Sequence, residues 1–287
     1  MTDRRHFFAF AILAGLWLGT TGLTAVQPLA TFAPASVTAD TVQPARAPHG
    51  MVVSESVHAS KAGADVLAAG GNAVDAAIAT GFALAVTHPA AGNVGGWGFM
   101  VIRFADGTAT AIDFRETAPM AAHSEMWLNE QGEYSYAKHH NSHLSVGVPG
   151  TVAGFWKAHL LYGSQEWRRL VAPAIDLARG GFVVTERLAG RLRQLVKGRG
   201  ASYTGTVAAF SKGDGFYVAG ERIVQADLAA TLERIAAAGR DGFYKGETAR
   251  LLVAEMARGG GLITMDDLAR YRARERRPIL GGFRGYE

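Results

Sequence analysis

Apolar positions fall into helix-length blocks divided by glycines along most of the chain. The first block is different. From Phe7 to Val26 no residue is charged, Arg4, Arg5 and His6 precede the run, and Pro28 breaks it. Two small-residue triplets follow, Ala33-Pro34-Ala35 and Val37-Thr38-Ala39. A polar start, an apolar stretch and small-residue cleavage candidates read as a secretory signal peptide over residues 1–39. The paired arginines before His6-Phe7-Phe8 also resemble a twin-arginine export signal. The competing reading is an uncleaved anchor, because a run of this length can span a bilayer. Glycines and threonines dilute the run, which favours cleavage. Either way the expected location is outside the cytoplasm, periplasmic or secreted, with no stable membrane association once the segment is removed. Residues 40–49, rich in Pro and Ala, read as a linker.

From residue 50 onward the pattern predicts an ordered region. Ser60 to Ala69 reads as a helix stopped by Gly70-Gly71. Asn72 caps the next, Ala73 to about Val86, with Asp75 as a first-turn acid. This second helix is apolar on all sides, which predicts burial. His88-Pro89 ends it, and a glycine-rich loop, Gly92 to Gly98, leads into a hairpin. Phe99 to Phe104 and Thr108 to Phe114 are its strands, with Asp106-Gly107 as a two-residue turn. That register pairs Phe99 with Phe114 and sets Arg115 opposite Gly98. Downstream, helices are expected over Thr151–Leu161, Leu170–Arg179, Thr185-capped to Val196, Leu228–Ala238 and Glu247–Arg258. Residues 197–224 read as irregular. Thr264 with Asp267 starts a further helix as a capping box. Ile279–Leu280, Gly281-Gly282 and Phe283–Glu287 suggest a hairpin whose second strand is cut by the chain end. An open strand edge of that kind points to a piece of a longer polypeptide.

Composition narrows the chemistry. The 287 residues include 36 glycines, 9 prolines and no cysteine. Thiol nucleophiles, disulfide scaffolds and cysteine-ligated metals are therefore excluded. With 48% hydrophobic and 19% charged residues, the chain has the material for a sizeable core. The net charge of +4 is spread thinly, so nucleic acid is not an expected partner. His139, His140 and His143 cluster in a polar loop and could seat a metal, but no acidic residue lies between Glu133 and Glu166 to join them. A solvated loop is the favoured reading, so no metal and no cofactor is expected. The glycine loop precedes a strand and lacks a phosphate cradle's helix and lysine, which argues for close backbone approach instead. No Gly-x-Ser-x-Gly elbow occurs, and no Ser-x-x-Lys pair of the penicillin-binding type is expected at Ser54, Ser56, Ser60 or the later serines. No catalytic residue is identified. Arg115 is followed by Glu116 and could be half of an ordinary surface pair. Guanidinium is also the side chain suited to bidentate capture of a carboxylate, and a hairpin end beside a glycine loop would suit that task.

Several stretches carry a family resemblance: Gly50-Met51-Val52-Val53-Ser54, Ala68 to Ala77, Gly95-Gly96-Trp97-Gly98-Phe99-Met100, Asp113 to Pro119, Gly147 to Gly154, and Gly261 to Thr264 with Asp267-Leu268 and Tyr271. In this order, across residues 50–287, they resemble the N-terminal part of bacterial γ-glutamyltranspeptidases. The resemblance implies a helix-rich α+β fold, part of the αββα sandwich of N-terminal-nucleophile hydrolases without its small-subunit strands. It implies a precursor that cleaves itself into two subunits, with the small subunit as partner and a γ-glutamyl compound as small-molecule substrate. The new N-terminal threonine of the small subunit would be the nucleophile. Carried over from the Asp-Phe-Arg-Glu motif, Arg115 would bind the α-carboxylate of the glutamyl group.

Two departures matter. The family's Thr-Thr-His stretch has no counterpart here, the one Thr-Thr being Thr20-Thr21 in the signal segment. The chain is therefore expected to be inactive alone. Trp97 stands where the family often has another glycine, and is expected to fill space beside the loop. The alternatives are a cephalosporin-acylase-like amidase and a non-catalytic exported binding protein.

Overall fold

The computed structural model describes residues 44–213 and 215–286. The chain divides into two units, Met1–Arg46 and Ala47–Glu287. The expected signal segment lies outside the described residues; of the first unit only residues 44–46 are described, exposed and without regular structure. The second unit runs α1 (Val57–Ala68), α2 (Ala73–Thr87), β1 (Phe99–Arg103), β2 (Ala109–Asp113), α3 (Tyr136–His140), α4 (Thr151–Tyr162), α5 (Trp167–Gly180), β3 (Phe182–Val183), α6 (Glu186–Lys197), α7 (Thr204–Phe210), β4 (Arg222–Ile223), α8 (Ala226–Ala238), α9 (Asp241–Tyr244), α10 (Gly246–Gly259), α11 (Met265–Arg270) and β5 (Arg274–Arg276). It is the helix-rich α+β arrangement that the pattern predicts. Among the described residues no helix is long and apolar enough to cross a membrane.

Helix α2 is the centre of the core, as its all-round apolar surface requires. Val74, Ile78, Phe82 and Val86 are buried. Phe82 meets Phe155 of α4 edge-on at 5.1 Å and Trp167 of α5 at 5.5 Å. Such aromatic contacts add to the area they bury. The Trp167 indole N–H donates to the Ile235 carbonyl at 2.9 Å and ties α5 to α8. Asn72 and Asp75 form the expected cap at the start of α2, with both reciprocal hydrogen bonds in place. Asp75 does more than its position predicts. It is fully buried, and also accepts from the Ser164 N–H at 3.0 Å and the Ser164 hydroxyl at 2.6 Å. One carboxylate thus joins the start of α2 to the α4–α5 connection.

The hairpin forms, but one residue out of the expected register. Phe99 pairs with Asp113, and Arg103 with Ala109. The reason is the turn. Phe104 N–H bonds the Thr108 carbonyl at 2.9 Å, so three residues close the loop, with Gly107 at a φ of +85°. A left-handed residue at the end of a three-residue loop shifts the pairing by one position relative to a two-residue turn. Beyond the ladder, Phe114 N–H donates to the Gly98 carbonyl at 3.1 Å, so Arg115 lies opposite Trp97, not Gly98.

The sheet also gains an unforeseen strand. β5 pairs antiparallel with β2, giving the order β1-β2-β5. Its residues, Arg274-Glu275-Arg276, are all charged and exposed, so no apolar alternation announces them. The hairpin expected at residues 279–287 is absent among the described residues. Ile279 is fully exposed, and Phe283 and Tyr286 form only an isolated bridge around a tight turn. Residues 197–224 are less irregular than expected, since they hold α7 and β4. Helix α1 starts earlier than Ser60, at Val57, with Ser56 in the cap position and its carbonyl accepting from Ser60 N–H at 2.9 Å.

Candidate functional site

The glycine loop is fixed from both sides. The Asn93 side-chain oxygen accepts from Gly96 N–H at 2.9 Å and from the Thr151 hydroxyl at 2.6 Å. The Gly96 carbonyl accepts from Gly150 N–H at 2.7 Å and Thr151 N–H at 3.2 Å, at the start of α4. Orphan donors at a helix start are thus satisfied by the loop itself. One turn on, Gly154 faces Phe114 so closely that a Cβ there would lie 2.2 Å from the ring. Helix α4 therefore seats both the loop and the end of β2, the two segments that carry Trp97 and Arg115.

Arg115 is held at its backbone and open at its side chain. Its N–H donates to Asp113 Oδ1 at 3.0 Å, and its carbonyl accepts from the Tyr271 hydroxyl at 2.7 Å. The guanidinium carbon sits 4.1 Å from the centre of the Trp97 ring, and Nε lies 3.5 Å from a Glu116 carboxylate oxygen. The side chain is 54% exposed. It lines a cleft of about 300 Å³ with Asp113, Thr117, Tyr271, Arg272 and Arg274. Arg276 on β5 also reaches this cleft and pairs with Asp113 at 2.6 Å. Arginines outnumber carboxylates on these walls, which suits an anion. The strand that supplies Arg274 and Arg276 was not foreseen, so neither was this charge. Its one legible trace is the density of arginines from Arg270 to Arg277.

Two groups of the cleft have displaced acidities. Burial alone would raise the Asp113 carboxyl, but the Arg115 N–H and the Arg276 guanidinium outweigh it and hold the group below its usual range. The Tyr271 phenol is pushed up to about 12, by burial first and then by the negative charges of Asp113 and Glu116. The folded chain therefore keeps this proton where an unfolded tyrosine, near 10, has lost it. Folding stability is present below about pH 10 and falls as pH rises from about 10 to 12. Urea melts at pH 9 and pH 11.5 are expected to show a smaller alkaline loss for Tyr271→Phe than for the parent chain; equal losses would contradict this.

The histidine loop does not assemble. His139 bonds the Tyr134 hydroxyl at 2.7 Å, His140 stacks on Tyr136 at 4.2 Å, and His143 Nε2 lies 2.9 Å from Glu255. Among the described residues no group of three His, Cys, Asp or Glu side chains gathers as a metal would need. Contrary to the expectation that no serine has lysine three positions on, Ser135 and Lys138 have that spacing. There the serine hydroxyl caps α3 and the lysine ammonium donates to the Leu128 carbonyl, an arrangement that serves the loop.

The chain as a whole is similar to known proteins. The sequence profile described as Gamma-glutamyltranspeptidase matches residues 59–287. The glutathione hydrolase proenzyme of Escherichia coli K12 is 46% identical over 281 residues, which is 98% of this chain and 48% of that protein. The chain thus spans about half the length of this curated relative. The γ-glutamyltranspeptidase structure from Helicobacter pylori superposes with a TM-score of 0.82 at 43% identity, covering 85% of this chain and 70% of the other. A cephalosporin acylase from Bacillus halodurans superposes with a TM-score of 0.74 at 29% identity, covering 84% and 46%. The fold is accordingly the helix-rich large-subunit portion of an N-terminal-nucleophile hydrolase. With that fold, and with its profile matched from residue 59 to residue 287, the chain belongs to the gamma-glutamyltranspeptidase family.

Proposed function

We propose that this chain is the large-subunit part of an exported γ-glutamyltranspeptidase, which cleaves γ-glutamyl amides such as glutathione. The observation that carries the reading is Arg115: a guanidinium on a fixed backbone, open to a cleft richer in arginine than in carboxylate. The α-carboxylate of a γ-glutamyl donor would take the N–H groups of Arg115, and the γ-amide would extend away to the small subunit. There the threonine hydroxyl, outside this chain, attacks the amide carbonyl. Its proton goes to the departing amine, the C–N bond breaks, and a γ-glutamyl ester remains. Water then gives glutamate, or an amino acid or peptide amine gives a new γ-glutamyl amide. Export rests on the reading of residues 1–39 as a signal peptide.

A second reading is an amidase with a different acyl group, and the likeness to the Bacillus halodurans cephalosporin acylase supports it. The donor's α-carboxylate separates the two. A γ-glutamyl anilide and its α-carboxamide analogue should be compared on the two-subunit enzyme. The carboxamide is expected to react about tenfold less well in kcat/KM, the value of one charged hydrogen bond. Equal rates would favour the amidase.

A further inference from the structure

Trp97 is not used in the reading above, yet it touches the residue on which that reading rests. Its position does not depend on Arg115. The loop that carries it is pinned by Asn93, Gly96 and the start of α4. Phe99 supports the indole edge-on at 6.1 Å. The hairpin register, set by a loop at the far end, then brings Arg115 across from it. A cation over an indole face is attracted by the ring's quadrupole. A guanidinium held by its face keeps its N–H edges free for a carboxylate.

The competing partner is Glu116, 3.5 Å from Nε. A full salt bridge to Glu116 would consume the same N–H edge that a substrate carboxylate needs. Glu116 Oε2 is buried and accepts no hydrogen bond, so the pair is formed only at the longer distance. The other charges on the cleft do not compete for Arg115 in this way. Asp113 is engaged by Arg276 and by the Arg115 backbone, and Arg272 and Arg274 are cations.

We propose that Trp97 is a positioning residue for donor binding: its ring face holds the Arg115 guanidinium away from a closed pair with Glu116, with its N–H edge presented to a carboxylate. The inference rests on the reading of Arg115 as the α-carboxylate site. It gives a role to a side chain that from sequence only fills space.

The test is steady-state kinetics of the two-subunit enzyme with a γ-glutamyl anilide. Trp97→Leu keeps apolar bulk and removes the ring; Trp97→Phe restores a ring. Trp97→Leu is expected to raise KM about fivefold with kcat within about twofold, and Trp97→Phe to recover most of the loss. In an Arg115→Ala background, Trp97→Leu should have no further effect. Melting temperatures matching the parent would establish that the variants are folded. If Arg115→Ala weakens the donor but Trp97→Leu does not, Trp97 has no positioning role and the carboxylate site stands. A Trp97→Leu effect that persists without Arg115 also overturns the proposal, because the ring then acts by another route. If Arg115→Ala changes nothing, the reading of Arg115 falls and this inference with it.

Discussion

The 287-residue chain, assayed alone with a γ-glutamyl chromogenic amide, is expected to give no turnover, and together with the small subunit it is expected to give turnover that Arg115→Ala lowers roughly 10- to 150-fold in kcat/KM. The first half follows from chemistry. A hydroxyl attacks an amide only with a base and an oxyanion site arranged around it. Among the described residues the one Ser-Lys spacing serves a loop, and the three histidines of the 139–143 loop are engaged by Tyr134, Tyr136 and Glu255. The second half follows from geometry. Arg115 offers a charged, planar donor set to a carboxylate, worth about 1.5–3 kcal/mol as a charged hydrogen bond. Arg115→Lys should recover only part, since an ammonium cannot reproduce the fork. Turnover by the chain alone that Arg115→Ala abolishes would refute the two-subunit reading, and an Arg115→Ala enzyme as active as its parent would refute the carboxylate site.

Asp75→Ala is expected to cost about 3 kcal/mol of folding stability, the largest effect of any polar truncation proposed here. The carboxylate is buried and accepts from Asn72 N–H at 3.0 Å, Ser164 N–H at 3.0 Å, the Ser164 hydroxyl at 2.6 Å and Gln165 N–H at 3.4 Å. Alanine removes the acceptor shared by four part-buried donors, on the exposed residues Asn72 and Ser164 and on half-buried Gln165, and with it the bonds that join the start of α2 to the α4–α5 connection. The melting temperature should fall by roughly 6–12 °C for a domain of this size. Asp75→Asn retains one acceptor oxygen and should lose less. A fall of under about 2 °C for the alanine variant would mean that water reaches these donors and that the carboxylate is only a helix cap.

Asp75 shows where reading stops. Its cap with Asn72 is legible because the partners are three residues apart and every such cap obeys the same backbone geometry. Its bonds to Ser164 and Gln165 are not legible, because nothing near residue 75 refers to residue 164. Thr185 and Thr264 repeat the first case: each caps its helix where the sequence places it. β5 repeats the second. Three charged residues become a strand only because β2 offers them an edge, and with them come the arginines that give the candidate site its charge.

An arginine after the hairpin's second strand is legible in the sequence, and its surroundings are not. The sequence alone determined α1, α2, α4, α5, α6, α8, α10 and α11 apart from their exact ends, the caps at Asn72, Thr185 and Thr264, the buried character of α2, and the presence of an arginine after the second strand of a hairpin, but not the short helices α3, α7 and α9. All of these are set by interactions within about one helical turn or across one loop, where few conformations compete. Only the tertiary structure decided what Arg115 faces. A one-residue difference in loop length moves a strand's pairing by one position and turns its faces over relative to the other strand; the observed register puts Ile102, Ile112 and Phe114 on one buried face, which the two-residue turn would have split. The turn sets that register, and its open end is held by packing of Phe114 against Gly154 and by anchoring of the glycine loop on α4, contacts between segments far apart in the chain. That choice put Trp97, rather than bare backbone, beneath the guanidinium.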